Sequence, residues 1–192
     1  GTRGDLGAVV RAILTDYEAR SPTAATAPGY GKLKEPLLRF TALLRSFNAG
    51  SPTGRGVFFE SVSNSTYQSA LGAASVFNFF EPSYVHPGPL AAAGLVAPEF
   101  QITDATTAVT VPNLIYTYTV TPVAPNNQNF SVTYALNLDP ETALAANPSA
   151  LLDHLNLILC AGQMTPATKG RLTAALNALP PNTSALDRAR SA

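Results

Sequence analysis

Few side chains of the sequence are of a type that acts as a nucleophile or a base. There are two histidines, His86 and His154, and a single cysteine, Cys160. A hydrolase of the Ser-His-Asp or Cys-His type needs a nucleophile, a base and an orienting acid in contact. Asp153 and His154 are adjacent on a predicted helix and therefore do not face each other, and Cys160 lies on a different side of that helix. We predict no catalytic residues, and we expect His154 to bond to a backbone group.

Patterns for metal or phosphate binding are equally scarce. The sequence has no HExxH, GxGxxG or GxxxxGK[ST] pattern. Asp139 and Glu141 are a candidate pair for calcium, although a capping turn before residues 141–146 explains them equally well. Glu81 and Glu99 are the acids to test for glycoside hydrolysis, with a structural ion pair to an arginine as the alternative. We predict no metal and no cofactor.

Charge is sparse and unevenly distributed along the chain. Charged residues make up 12% of the 192 residues, about half the usual share of roughly 25%. All Lys and Arg residues lie at or before Arg55 or at or after Lys169, whereas residues 56–168 contain seven acidic residues. A basic groove in this middle segment is impossible, which argues against nucleic acid as a partner. Either the basic ends neutralise the middle within one chain, or they contact the middle of another copy.

The first 50 residues are predicted to be helical. Asp5 caps an amphipathic helix whose apolar residues recur at helical spacing. Glu35 and Pro36 begin a second helix, in which Glu35 and Arg39 lie one turn apart and can pair. The apolar positions are Leu6, Val9, Val10, Ile13, Leu14 and Tyr17 in the first helix, and Leu37, Phe40, Leu44 and Phe47 in the second.

Residues 51–112 are predicted to be irregular and aromatic-rich, apart from a short helix near residues 90–95. The run 75–80 is apolar enough to be buried, with Phe77, Phe79, Phe80 and Tyr84 as core residues. Residues 113–138 are predicted to form a β-hairpin, because apolar and polar residues alternate over 114–121 and 130–138. Tyr116, Tyr118 and Tyr134 on these strands would also suit a carbohydrate-binding surface.

Residues 139–192 return to a helical pattern. Asn147-Pro148 and Thr165-Pro166 are cap and first-turn signals, and Gly162 ends the first of these helices. Cys160 lies in an apolar run, so we expect it to be buried. The predicted fold is therefore mainly α with a small antiparallel β-hairpin (α+β), in which helical halves flank the irregular middle of a single domain, residues 1–192. The predicted core positions are Leu151, Leu152, Leu155, Ile158 and Leu159, followed by Leu172, Leu176 and Leu179.

Five segments of the chain resemble a known bacterial family. In order they are DLGAVVRAILTDYEAR (5–20), GKLKEPLLR (31–39), SVFNFFEPSY (75–84), AAGLVAPEFQI (92–102) and LLDHLNLILCAGQM (151–164). Together they resemble the C-terminal part of the family known as domain of unknown function 1800. The resemblance implies a longer parent protein, an exported context and, around residues 104–121, a helix where the alternation indicates a strand. It carries no catalytic residues over.

These observations favour a non-enzymatic, extracytoplasmic structural or protein-interaction module that assembles with itself at the cell surface or with other exported proteins. The alternative is the C-terminal part of an exported enzyme that acts on a polymer, with its catalytic residues mainly outside this chain. The chain begins Gly-Thr-Arg, and we expect it to be a processed product or a fragment. No apolar stretch approaches the roughly 20 residues of a membrane helix, so we predict no membrane span.

Overall fold

A computed structural model describes residues 3–27, 29–50, 60–121 and 135–192, with the backbone alone at residues 60 and 61. These residues are mainly helical, as predicted. The α-helices are α1 (Leu6–Thr15), α2 (Tyr17–Arg20), α3 (Pro22–Ala25), α4 (Pro36–Ser46), α5 (Glu60–Thr66), α6 (Pro89–Ala92), α7 (Thr107–Val120), α8 (Asp139–Leu144), α9 (Pro148–Cys160), α10 (Pro166–Asn177) and α11 (Ala185–Ser191). Residues Pro98–Ile102 form a 3-10 helix.

The chain divides into two compact units. The first comprises Gly1–Lys34 and Phe80–Gln101, and the second comprises Glu35–Phe79 and Ile102–Ala192. In the first unit the side chain of Asp5 accepts a hydrogen bond from the backbone N–H of Ala8 at 2.9 Å, which caps α1 as predicted. The Tyr30 hydroxyl donates to the carbonyl of Glu18 at 2.7 Å and so ties the loop after α3 to α2.

The second unit contains two apolar clusters, and α4 contributes to both. Leu43 and Phe47 belong to a cluster with helices α9 and α10, and Phe40 belongs to a cluster with α5 and α7. The predicted apolar stripe of α4 therefore lies in the core. The prediction omitted Leu43, which is also buried. The buried members are Leu43, Phe47, Leu138, Leu151, Leu152, Leu155 and Leu176 in the first cluster, and Phe40, Val62, Leu114 and Tyr118 in the second.

The predicted first strand of the hairpin is wrong, because residues 107–120 form α7. The residues of α7 that are buried are Thr107, Val111, Leu114 and Tyr118, at the spacing of a helix face. Asp104 accepts hydrogen bonds from the backbone N–H groups of Thr106 and Thr107 at 2.9 and 2.8 Å and fixes the start of the helix. The helix expected from the family resemblance in this region is present.

The predicted second strand falls largely outside the described residues, which exclude 122–134. The described part of this predicted strand, residues 135–138, runs alongside the end of α4. Ala135 forms an isolated antiparallel bridge with Gly50, and the N–H of Asn137 donates to the carbonyl of Phe47 at 2.8 Å. The described part of the chain contains no sheet, so the structure does not support the α+β assignment.

The C-terminal helices begin where the sequence predicts. The side chain of Asn147 accepts from the N–H of Ala150, and that of Thr165 accepts from the N–H of Thr168, with a proline in the first turn of each helix. Helix α9 ends at Cys160, and its C-cap Ala161 has a left-handed backbone (φ 51°), one residue before the predicted stop at Gly162. Among the described residues, no helix combines the length and apolarity that a membrane crossing requires.

Candidate functional site

His154 is paired with a buried carboxylate, which corrects the prediction that it bonds to a backbone group. Its Nε2 lies 2.7 Å from Oε1 of Glu141, and the side chains are 31% and 3% exposed respectively. Glu141 is on α8 and His154 is on α9, so the packing of these two helices brings the pair together. The second carboxylate oxygen of Glu141, Oε2, is buried and makes no hydrogen bond to any described residue.

This pair has two of the three groups that nucleophilic catalysis needs. The contacts of the described residues place no hydroxyl or thiol against the His154 imidazole. The neighbouring Asp153 is engaged in an ion pair with Lys169 of α10. Within the described ranges, no group of three or more His, Cys, Asp or Glu side chains is arranged to hold a metal ion.

The other acids considered from the sequence are dispersed. Asp139 is exposed at the start of α8, where it lines a pocket of about 350 Å³ together with Tyr118 and Arg190. Glu141 is buried against His154, so the two acids of the candidate calcium pair lie in different surroundings. In the first unit, Glu81 is exposed, whereas Glu99 is buried in the 3-10 helix.

His86 and Cys160 lie in contrasting surroundings, the first against aromatic rings and the second exposed. The ring of His86 packs against Phe100, with ring centroids 4.9 Å apart, and approaches Tyr84 at 6.4 Å. Cys160 is a free thiol at the end of α9 and is exposed, so its predicted burial is wrong. Leu159 beside it is 37% exposed and does not join the predicted core face.

The predicted pair of Glu35 and Arg39 is replaced by a different contact. Oε2 of Glu35 accepts a hydrogen bond from Nε2 of Gln68 at 2.6 Å, and Oε1 of Gln68 accepts one from the N–H of Leu37 at 3.0 Å. The guanidinium of Arg39 has a buried Nε without a hydrogen-bond partner among the described residues, and burial lowers the pKa of Arg39. The spacing of the sequence predicts an ion pair between Glu35 and Arg39. In the structure, the carboxylate of Glu35 instead bonds to Gln68, 33 residues away.

The most distinctive surface is the apolar stripe of α1. We define it as Leu6, Val9, Val10, Ile13 and Leu14, with Tyr17 continuing it onto α2. These side chains are 74%, 53%, 52%, 62%, 64% and 66% exposed. The sequence correctly predicts the helix and its apolar positions, and the structure leaves this face exposed.

No residue of helix α1 is buried. Every residue from Leu6 to Thr15 is exposed, including Ala8 and Thr15 on the side opposite the stripe. A depression of about 530 Å³ continues the surface from Ile13 towards α2 and Tyr30, lined also by Ala12, Asp16, Glu18 and Ala19. An amphipathic helix normally owes its stability to the packing of its apolar face, and in α1 each side chain of that face is more than half exposed.

A second exposed apolar feature is the turn at residues 75–78. The N–H of Asn78 donates to the carbonyl of Ser75, and Val76 and Phe77 at the tip are 94% and 66% exposed. The predicted core role of this aromatic run is therefore wrong for Phe77, whereas Phe79, Phe80 and Tyr84 are partly buried.

Of the tyrosines considered for carbohydrate binding, Tyr118 is buried against Phe40 with ring centroids 4.7 Å apart and Tyr116 is exposed. Tyr134 lies outside the described residues.

The fold and its surfaces thus define a mainly helical protein with an exposed amphipathic helix, α1. The chain belongs to the family described as Protein of unknown function (DUF1800), whose model matches residues 1–190. No curated protein sequence and no solved structure has significant similarity to it.

Proposed function

We propose that this chain is a non-enzymatic protein-interaction module of an extracytoplasmic protein, and that the stripe of α1 is its contact surface. The observation that carries the proposal is the exposure of the whole stripe, each member of which is more than half exposed. Contiguous exposed apolar surface of this kind marks a site for a partner. The low share of charged residues, 12%, and the exported context implied by the family resemblance support the extracytoplasmic setting.

The energetics favour an occupied stripe over a bare one. A ten-residue helix is shorter than the roughly 12–15 residues at which isolated helices become marginally stable in water. Complete burial of a Leu, Val or Ile side chain contributes about 1.5–3 kcal/mol. Because the stripe is already partly covered, a partner would add roughly 1 kcal/mol for each side chain. A partner protein that covers the stripe would therefore stabilise α1 as well as bind to it.

A protein partner fits this helix better than a lipid surface. Interfacial helices that bind membranes carry an excess of Lys and Arg on their polar face. The stretch from Arg3 to Arg20 contains three basic and three acidic residues and has no net charge. Charges of both signs beside an apolar stripe are typical of helix–helix contacts.

The enzymatic alternative rests on the pair of Glu141 and His154. An imidazole oriented by a buried carboxylate resembles the base and acid of a catalytic triad. The pair would still need a nucleophile from elsewhere, and the stripe of α1 would remain without a role. We therefore favour the interaction module.

Site-specific photo-crosslinking tests the proposal. A photo-reactive amino acid is placed at Val10 in the stripe or at Ala8 on the opposite face, and the full chain is irradiated in the cells that produce it. Both positions are exposed, so the two variants differ in face and hardly in accessibility. We expect discrete protein adducts from position 10 and none from position 8.

Equal labelling at the two positions, or no adduct from position 10, would contradict a contact surface on α1. Co-sedimentation of the purified chain with phosphatidylglycerol vesicles provides the second arm. Binding to these vesicles that is lost in Val10→Ser would assign the stripe to lipid and overturn the protein-interaction proposal.

A further inference from the structure

We infer that the second unit binds a small zwitterion, namely a free α-amino acid with an apolar side chain. The site is the pocket of about 350 Å³ that residues of α7, α8 and α11 line. Asp139 of α8 and Arg190 of α11 both belong to this lining. The inference goes beyond the contact surface on α1, because every residue that it uses lies in the second unit.

Arg190 provides the positive charge of the pocket. It lies in the last turn of α11, where its Nη1 contacts Oδ1 of Asp187 at 3.4 Å, which is long for a hydrogen bond. Its Nε is buried and has no hydrogen-bond partner among the described residues. A buried N–H without an acceptor is destabilising, and a guanidinium group binds a carboxylate through two parallel hydrogen bonds. The carboxylate of a ligand would therefore supply the acceptor that Arg190 lacks.

Asp139 provides the negative charge of the same pocket. Its backbone N–H donates to Oδ1 of Asn137 at 3.0 Å, which fixes the residue at the start of α8. Among the described residues Asp139 forms no ion pair, and Arg190 pairs with Asp187 instead of with Asp139. Two opposite charges that line one pocket without neutralising each other are complementary to a ligand that carries both.

The rest of the lining favours an apolar side chain on the ligand. Leu136, Leu138 and Leu186 line the pocket together with Tyr118. Leu186 precedes Arg190 by four residues, so the two share one face of α11. Ligand pockets are mostly apolar with a few polar groups and measure roughly 300–1,000 Å³. This pocket is at the lower end of that range, which suits a single amino acid.

Nuclear magnetic resonance of the purified, isotope-labelled chain tests the inference, with L-leucine as the probe. The amide signals of a 20.0 kDa chain can be followed individually during a titration. We expect the signals of Asp139, Leu186 and Arg190 to shift with a dissociation constant of about 1 mM or tighter, and those of Leu6 and Val10 to stay in place. An absence of shifts at about 10 mM leucine, or shifts confined to residues outside the pocket, would overturn the inference.

Two analogues of leucine test each charge without altering the protein. Isocaproate lacks the ammonium group, and isopentylamine lacks the carboxylate. Each should bind at least about tenfold more weakly than leucine, because one charged contact is lost. An analogue that binds as tightly as leucine would refute a zwitterionic ligand. Tighter binding of glycyl-leucine would assign the pocket to the end of a peptide and would overturn the free amino acid as its ligand.

Substitutions assign the two charges to their residues. Arg190→Gln should weaken leucine binding at least about tenfold. Arg188→Gln removes the same charge from the same helix and should leave binding unchanged, because Arg188 donates to the carbonyl of Pro180 and does not line the pocket. Asp139→Asn should abolish the preference for leucine over isocaproate.

Equal weakening by Arg190→Gln and Arg188→Gln would contradict a role for Arg190 in the pocket. Circular dichroism establishes that the variants are folded. The analogue series on the unaltered chain decides the question if Arg190→Gln does not fold.

Discussion

Glu141 shows what a single residue contributes that the sequence could not reveal. Its position two residues after Asp139 suggested a calcium ligand or a capping turn before residues 141–146. The structure instead buries its side chain to 3% exposure and joins it to His154, 13 residues further on. That pairing depends on how α8 packs against α9, and no spacing rule within one helix encodes it.

Substitution of Glu141 measures how much its pair with His154 contributes to the free energy of unfolding. Glu141→Ala removes the acceptor of His154 and leaves a gap beside α9, so we expect a loss of about 1–3 kcal/mol in the free energy of unfolding. Glu141→Gln keeps an acceptor oxygen at nearly the same volume and should cost clearly less. Urea unfolding followed by circular dichroism gives both values, and equal losses would show that the hydrogen bond to His154 contributes little.

The thiol of Cys160 provides a second test at the scale of one residue. The apolar neighbours in sequence predicted burial, yet the helix ends at this residue and leaves it exposed. We expect the folded chain to react with a thiol reagent at a rate close to that of the chain in guanidinium chloride. Cys160→Ser is the blank, and a thiol that reacts only after unfolding would contradict the exposed position.

Helix α7 shows why a local pattern can mislead at the scale of an element. Val, Ile, Thr and Tyr favour strands, and the alternation over residues 114–121 was genuine. The helical spacing of Thr107, Val111, Leu114 and Tyr118 was present in the same residues, and burial of this face decides the outcome. Thr117 and Thr119 donate their hydroxyl hydrogen bonds to carbonyls four residues earlier, which accommodates them in a helix.

The start of α7 makes its stability dependent on pH. The hydrogen bond from the backbone N–H of Thr107 lowers the pKa of Asp104, helped by the Thr107 hydroxyl and the N–H of Thr106, while desolvation opposes them. A carboxyl group whose folded pKa is below its unfolded value of about 3.9 stabilises the fold above that pH. This contribution disappears as the pH falls through the folded pKa.

We therefore expect the difference in unfolding free energy between the wild type and Asp104→Asn to shrink as the pH is lowered from 5 towards 2. Chemical unfolding at a series of pH values measures it. A difference in unfolding free energy that stays constant over this range would show that folding does not lower the pKa of Asp104. Asp139→Asn, which changes an exposed acid at the start of α8, serves as the matched control.

Helix α1 illustrates the opposite case, in which the pattern predicted the element and left its surroundings open. Hydrophobic periodicity reports that a face needs cover, but it does not say what provides the cover. Because no residue of α1 is buried, we expect its amides to exchange with solvent far faster than those of α9 in the purified chain. Protection of α1 equal to that of α9 in a hydrogen-exchange experiment would contradict this.

At the scale of the whole molecule, the uneven charge of the sequence is balanced by the fold. Each of the two units contains equal numbers of basic and acidic residues, five of each in the first and seven of each in the second. The ion pair of Lys169 with Asp153 joins a residue of the basic C-terminal segment to one of the acidic middle. The sequence left open whether such pairs form within or between copies, because the division into units is a property of the tertiary structure.

The exposure of α1 also has a consequence for turnover. A short helix that is exposed over its whole length frays easily and is open to proteases until a partner covers it. Copies without the partner would then be nicked near residues 6–15 and cleared first.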